Sequence, residues 1–109
     1  MTEQALFILA SLAMGELHGY GIAQDVEELS QGRVRLTAGT LYGALNRLAD
    51  DGLVAQSRED VVDGRRRRYY RLTAAGTTAL TEETARMQSI AAALGSRAGA
   101  RATRRPSPA

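Results

Sequence analysis

The chain has 109 residues, 44% of them hydrophobic, and a formal net charge of +2, which bounds it to about one domain with a modest core of the size that often gains stability by oligomerising. There is no cysteine, so disulfides and thiolate metal sites are excluded, and the apolar run Ala5 to Met14, preceded by Glu3, is too short to span a bilayer and lacks the basic start of a signal peptide. A cytoplasmic protein without a membrane partner is the expectation.

Residues 3–14 read as a first helix in which Leu6, Ile8, Leu9, Leu12 and Ala13 make a broad apolar face, ended by Gly15. His18-Gly19-Tyr20-Gly21-Ile22 opens a second helix running to about Ser30, with Ile22, Val26 and Leu29 inward and Asp25, Glu27 and Glu28 outside. His18 has no Cys or second His to complete a ligand set, so it reads as a helix-entry or packing residue and no metal is expected.

Thr37 is a good N-cap for a third helix, Ala38 to Asp51, with Gly52 at the position that follows a helix end. Leu41, Leu45 and Leu48 share one stripe, and the opposite face carries Gly39, Gly43, Asn46 and Arg47. Two exposed glycines weaken a helix by roughly 1 kcal/mol each relative to alanine. Such a loss fits a helix whose backbone another molecule must approach, although an amphipathic helix that merely tolerates two glycines has the same pattern.

Leu53 to Arg58 and Arg66 to Leu72 read as the arms of a hairpin around Asp63-Gly64, a favoured turn pair. Tyr70 and Leu72 fall on its core side, opposite Arg65, Arg67, Tyr69 and Arg71. Thr73 caps a fourth helix to about Leu94, with Leu80, Met87 and Leu94 at heptad spacing and Ile90 in the seam. From Gly95 the composition of Gly, Ala, Arg, Ser and Pro predicts a disordered tail, either a nonspecific DNA arm or a solubilising end.

The charge is segregated along this order. Every basic residue is arginine; residues 1–57 hold Arg33, Arg35 and Arg47 against seven acids, while residues 58–71 hold six arginines against Glu59, Asp60 and Asp63. GC-rich coding explains arginine over lysine but not the clustering, which fits a polyanion-binding patch. No serine has a credible catalytic partner and no acid cluster has catalytic spacing, so no catalytic residue is expected.

Helix, helix, recognition-type helix and charged hairpin predict an α+β, mostly α, winged helix-turn-helix with a C-terminal dimerisation helix. The divisions are a DNA-binding domain over 1–76, a dimerisation helix over 77–94 and the Arg-rich tail over 95–109. Thr37, Gly39, Thr40, Tyr42, Gly43, Asn46 and Arg47 form or frame the groove-reading helix, with Tyr42 either stacked in the core or reaching a phosphate. Arg65, Arg66, Arg67 and Arg68 hold the backbone of double-stranded DNA. Leu6, Leu9, Leu80, Met87, Ile90 and Leu94 build a homodimer interface. The rival is a winged-helix module that binds another protein, which would usually expose an apolar patch instead of four contiguous arginines.

The motifs His18-Gly19-Tyr20-Gly21-Ile22, Gly39-Thr40-Leu41-Tyr42, Ala44-Leu45, Arg47-Leu48, Gly52-Leu53-Val54 and Arg66 to Thr73, with Gly76 and Leu80, together resemble the PadR-like transcriptional regulators in their short form with a single C-terminal helix. The resemblance covers residues 3–94. It implies a dimeric winged-helix repressor of the kind that often releases DNA on binding a small-molecule inducer, unidentified here, or on a change of phosphorylation. The two-fold axis of a dimer implies a pseudo-palindromic operator, and no cofactor is expected. Gly43 stands where the family commonly has proline and Gly21 where an acid is common. With no tryptophan in the chain, a ligand site built from stacked tryptophans does not carry over.

Overall fold

The computed structural model describes residues 1–103. Helix α1 (Glu3–Leu12) begins where the Thr2 hydroxyl accepts the Ala5 N–H at 3.1 Å, and its apolar side sends Ile8, Leu9 and Leu12 into the core. Ser11 lies on that buried side as well, and its hydroxyl donates to the Ile8 carbonyl at 2.7 Å, so no polar group is left unsatisfied there. A two-residue strand, β1 (Leu17–His18), leads directly into α2 (Gly19–Leu29). Helix α2 closes with Gly32 N–H donating to the Glu27 carbonyl at 2.8 Å and Gln31 N–H to the Glu28 carbonyl at 3.1 Å.

Helix α3 (Ala38–Asp50) buries Leu41, Ala44, Leu45 and Leu48. Strands β2 (Val54–Val62) and β3 (Arg65–Leu72) form the wing, joined by Asp63 and Gly64 at φ of 51° and 74°, the left-handed pair that a two-residue hairpin turn requires. The sheet is antiparallel in the order β1-β3-β2, with Leu17 opposite Tyr70 and His18 opposite Tyr69, and its register slips between Gln56 and Arg58. One core joins Ile8, Leu9 and Leu12 of α1 to Ile22 and Val26 of α2, the α3 leucines, Val54 and Tyr70. Helix α4 (Ala74–Thr103) has 30 residues and, at about 45 Å, is the longest element of a molecule whose long axis is 74 Å.

Four features differ from the sequence expectations. Strand β1 was not anticipated, because two residues are too short to show an alternating pattern. The first wing arm reaches Val62 rather than Arg58, so the turn is confined to Asp63-Gly64. Helix α4 continues through Gly95 and Gly99 to Thr103 instead of giving way to a disordered tail, since the surrounding Ala and Arg are strong helix formers that outweigh two glycines; residues 104–109 of the expected tail lie outside the described residues. Leu9, expected at a dimer interface, is 0% exposed within a single chain. It is a core residue with no surface to offer a second copy, because α1 is apolar around most of its circumference and the face bearing Leu9 packs into the shared core.

Candidate nucleic-acid interface

Thr37 organises the start of α3. Its hydroxyl oxygen accepts the Thr40 N–H at 3.3 Å and donates its own proton to the Thr40 hydroxyl oxygen at 3.0 Å, so the first turn is closed by its own side chains. Thr40, Tyr42, Asn46 and Arg47 are exposed on the side away from the core. A methyl group built on Gly39 would meet nothing within 4 Å, and one on Gly43 would meet only the Arg47 guanidinium at 3.7 Å. Packing within this chain therefore requires neither glycine.

Tyr42 is 40% exposed and lies over the first residue of α2, where a methyl group on Gly19 would come within 2.5 Å of its hydroxyl. The ring is thus neither a core residue nor free of the fold. It joins α3 to the start of α2 and keeps its edge toward solvent.

The four consecutive arginines occupy different environments. Arg65 and Arg66, beside the turn, are exposed and have no carboxylate partner among the described residues. Arg68 faces Glu59 at 3.5 Å, and half-buried Arg67 turns toward the root of the wing, its Nη1 3.2 Å from His18 Nε2. His18 itself caps α2, its Nδ1 accepting the Gly21 N–H at 3.0 Å. This agrees with the helix-entry role expected for it.

The wing is fastened by residues that the sequence did not single out. Arg58 donates through Nε to Glu16 at 2.6 Å and covers the Tyr69 ring at 3.8 Å from its centroid, and Ser57 donates to the other Glu16 oxygen at 2.6 Å. The Arg58 hydrogen bond, and then that of Ser57, holds the Glu16 carboxyl below its usual range, while the same bond to Glu16 raises the Arg58 guanidinium. Glu16 lies 42 positions from Arg58, and no local spacing announces such a pair.

Between α1 and α4, Leu6, Phe7, Ala10, Leu80, Met87 and Ala91 line an open groove of about 840 Å³ whose lining also includes Glu3, Arg33 and Arg86. Leu6 and Leu80 are half-buried, whereas Met87, Ile90 and Leu94 are 51%, 46% and 66% exposed. Among the described residues no group of three His, Cys, Asp or Glu side chains is placed to hold a metal ion. No described helix is long and apolar enough to cross a membrane.

A three-helix unit closed by a β-hairpin wing, with a capped third helix exposing its polar side, defines a winged helix-turn-helix protein. The family model described as the transcriptional regulator PadR-like family matches residues 8–82, and the chain belongs to that family of transcriptional regulators. It is 46% identical over 86 residues to the transcriptional regulator Rv3488 of Mycobacterium tuberculosis, covering 79% of this chain and 77% of that protein. A PadR family transcription regulator from Clostridium difficile superposes with a TM-score of 0.74 at 25% identity, over 87% of this chain and 97% of that one. Bacillus subtilis PadR in complex with operator DNA superposes at 0.67 and 26% identity, over 77% of this chain and 48% of the longer relative. The expectation that the chain is a regulator rather than an enzyme agrees with its family.

Proposed function

We propose that the chain represses transcription as a homodimer bound to a pseudo-palindromic operator. Thr37, Gly39, Thr40, Tyr42, Gly43, Asn46 and Arg47 form or frame the groove-reading helix, and Arg65, Arg66, Arg67 and Arg68 engage the phosphate backbone. The observation that carries this reading is the pair of α3 glycines with open space above them. Each weakens the helix, no neighbour in the chain needs either, and both lie on the side that bears Asn46 and Arg47. A related regulator solved with operator DNA supports the assignment. Leu6, Leu80, Met87, Ile90 and Leu94 would close the groove against a second copy, which places two recognition helices on half-sites whose centres lie about one or two helical turns apart. A small molecule that shifts the two copies across this groove would alter that spacing, so release by an inducer would act at the same interface.

The test uses one substitution on each side of the argument, assayed on duplexes selected from a random library. Gly39→Ala is expected to stabilise the fold by up to about 1 kcal/mol, since it improves helix propensity without a clash, and yet to weaken binding of the selected duplex. Asn46→Ala is expected to cost about 1–3 kcal/mol on the selected duplex and far less on random DNA, because its amide matches the paired donor and acceptor of adenine. Melting curves and a library of single-base variants read both effects. If neither substitution alters sequence preference, a protein-binding role for this face becomes the better account.

A further inference from the structure

His18 and Arg67 meet through atoms that do not complement each other. His18 Nδ1 accepts the Gly21 N–H at 3.0 Å, which occupies the lone pair of that nitrogen and leaves the proton of the neutral ring on Nε2. Nε2 lies 3.2 Å from Arg67 Nη1, and a guanidinium nitrogen only donates. Two N–H groups thus face the same small space, and no described residue places an acceptor between them. Arg58 and Arg68 have carboxylates, but Arg67 has none within ion-pair distance among the described residues. Its cross-strand neighbour Asp60 is engaged by Arg58 at 3.4 Å.

The surroundings hold both groups in place. The imidazole sits edge-on to Tyr69, with ring centroids 5.4 Å apart, and is stacked beside Tyr20 at 6.4 Å. His18 and Arg67 are each half-buried, so hydrogen bonds from them to a charged oxygen are screened less than those of a free surface side chain. The pair also lies between the two parts of the candidate interface: Gly19, the next residue, touches Tyr42 of α3, and Arg65 and Arg66 follow the strand outward.

We propose that His18 and Arg67 together bind one anionic phosphate oxygen at the root of the wing, each donating one hydrogen bond, and that the oxygen belongs to a DNA backbone phosphate. The proposal rests on the DNA-binding reading above. The bound oxygen turns a donor–donor contact into two charge-assisted hydrogen bonds. It also makes His18, which by sequence only begins a helix, a residue that places the wing and α2 on the same phosphate.

The chain contains a single histidine, so the full-length protein labelled with ¹⁵N-histidine gives the signals of this ring alone. In the free protein the proton is expected on Nε2, and adding the selected duplex should shift that proton downfield. Inorganic phosphate at the same phosphate concentration should not. His18→Asn retains a side-chain oxygen that can cap α2 but cannot reach Arg67. It should melt close to wild type and bind the duplex about 100-fold more weakly, the scale of one charge-assisted hydrogen bond in each of two subunits, with an unchanged salt dependence.

Arg67→Ala should instead flatten the slope of log K against log salt by up to about 2 per dimer. In the Arg67→Ala background, His18→Asn should cost much less than it does alone. A free ring protonated on Nδ1, a shift with inorganic phosphate but not with duplex, or wild-type affinity for His18→Asn while Arg66→Ala weakens binding would each overturn the paired contact and leave the DNA reading standing. A wild-type chain that binds no duplex at low salt removes both.

Discussion

Gly76→Ala is expected to destabilise the protein by about 3 kcal/mol or more, the upper range for overpacking a site that cannot yield, and to lower the melting temperature by more than about 10 °C. Gly76 is buried in the first turn of α4, and a methyl group there would lie 2.0 Å from the Leu53 carbonyl oxygen and 2.7 Å from Leu72 Cδ1. That carbonyl cannot move aside cheaply. It accepts the Thr73 N–H at 3.1 Å, while the Thr73 hydroxyl donates to the Gly52 carbonyl at 2.6 Å and accepts the Gly76 N–H at 3.0 Å. Relief of the clash would break the junction between the base of the wing and α4. Gly95→Ala, in the same helix with nothing within 4 Å, should stabilise by up to about 1 kcal/mol. Thermal melts of the two variants separate the contact from helix propensity, and equal melting temperatures would show that the close approach at Gly76 does not constrain the fold.

The double substitution Met87→Glu and Ile90→Glu is expected to separate the proposed homodimer and to weaken operator binding by more than about 100-fold, the scale lost when two linked sites become independent. Within one chain both side chains are about half exposed, at 51% and 46%, so the monomer accommodates the carboxylates without opening its core. Buried against the groove of a second copy, the same carboxylates would lose water beside a mostly apolar lining whose arginines, Arg33 and Arg86, are already engaged by Glu3 and Glu83. Sedimentation should show a monomer where the parent is a dimer, with a melting curve that no longer depends on protein concentration. A parent chain that is already monomeric at micromolar concentration, or a variant that remains dimeric, would refute the interface assignment.

Periodicity was informative wherever an element packs on one side only. Leu41, Leu45 and Leu48, with Thr37 before them, placed α3 to within a residue, and Tyr70 lies buried where the alternation of β3 put it. The pattern misled where it saturates: α1 is apolar on so much of its surface that spacing alone cannot tell Leu9, in the core, from Leu6, beside the groove. It was silent on β1, whose two residues are defined only by their partner strand. The end of α4 was misread because Gly95 and Gly99 resemble punctuation, whereas the alanines and arginines around them carry the helix on. The His18–Arg67 and Glu16–Arg58 pairs link positions 49 and 42 apart, and only the folding of β1 onto the wing brings them together.

Arg65 and Arg66 have no carboxylate partner among the described residues and stand beside the turn at the far end of the wing, while Arg58, Arg67 and Arg68 are drawn inward to Glu16, His18 and Glu59. Under the DNA reading, this uneven distribution divides arrival from residence. Unpaired charge at a projecting tip attracts a polyanion from about a Debye length away, some 8 Å at physiological salt, before any surfaces touch. The base-reading side chains along α3 act only after docking is complete, and they govern how long a correct sequence is held. The tip therefore sets how steeply the speed of encounter depends on ionic strength, whereas how long a matched site is held depends also on the base contacts of α3, which salt affects far less.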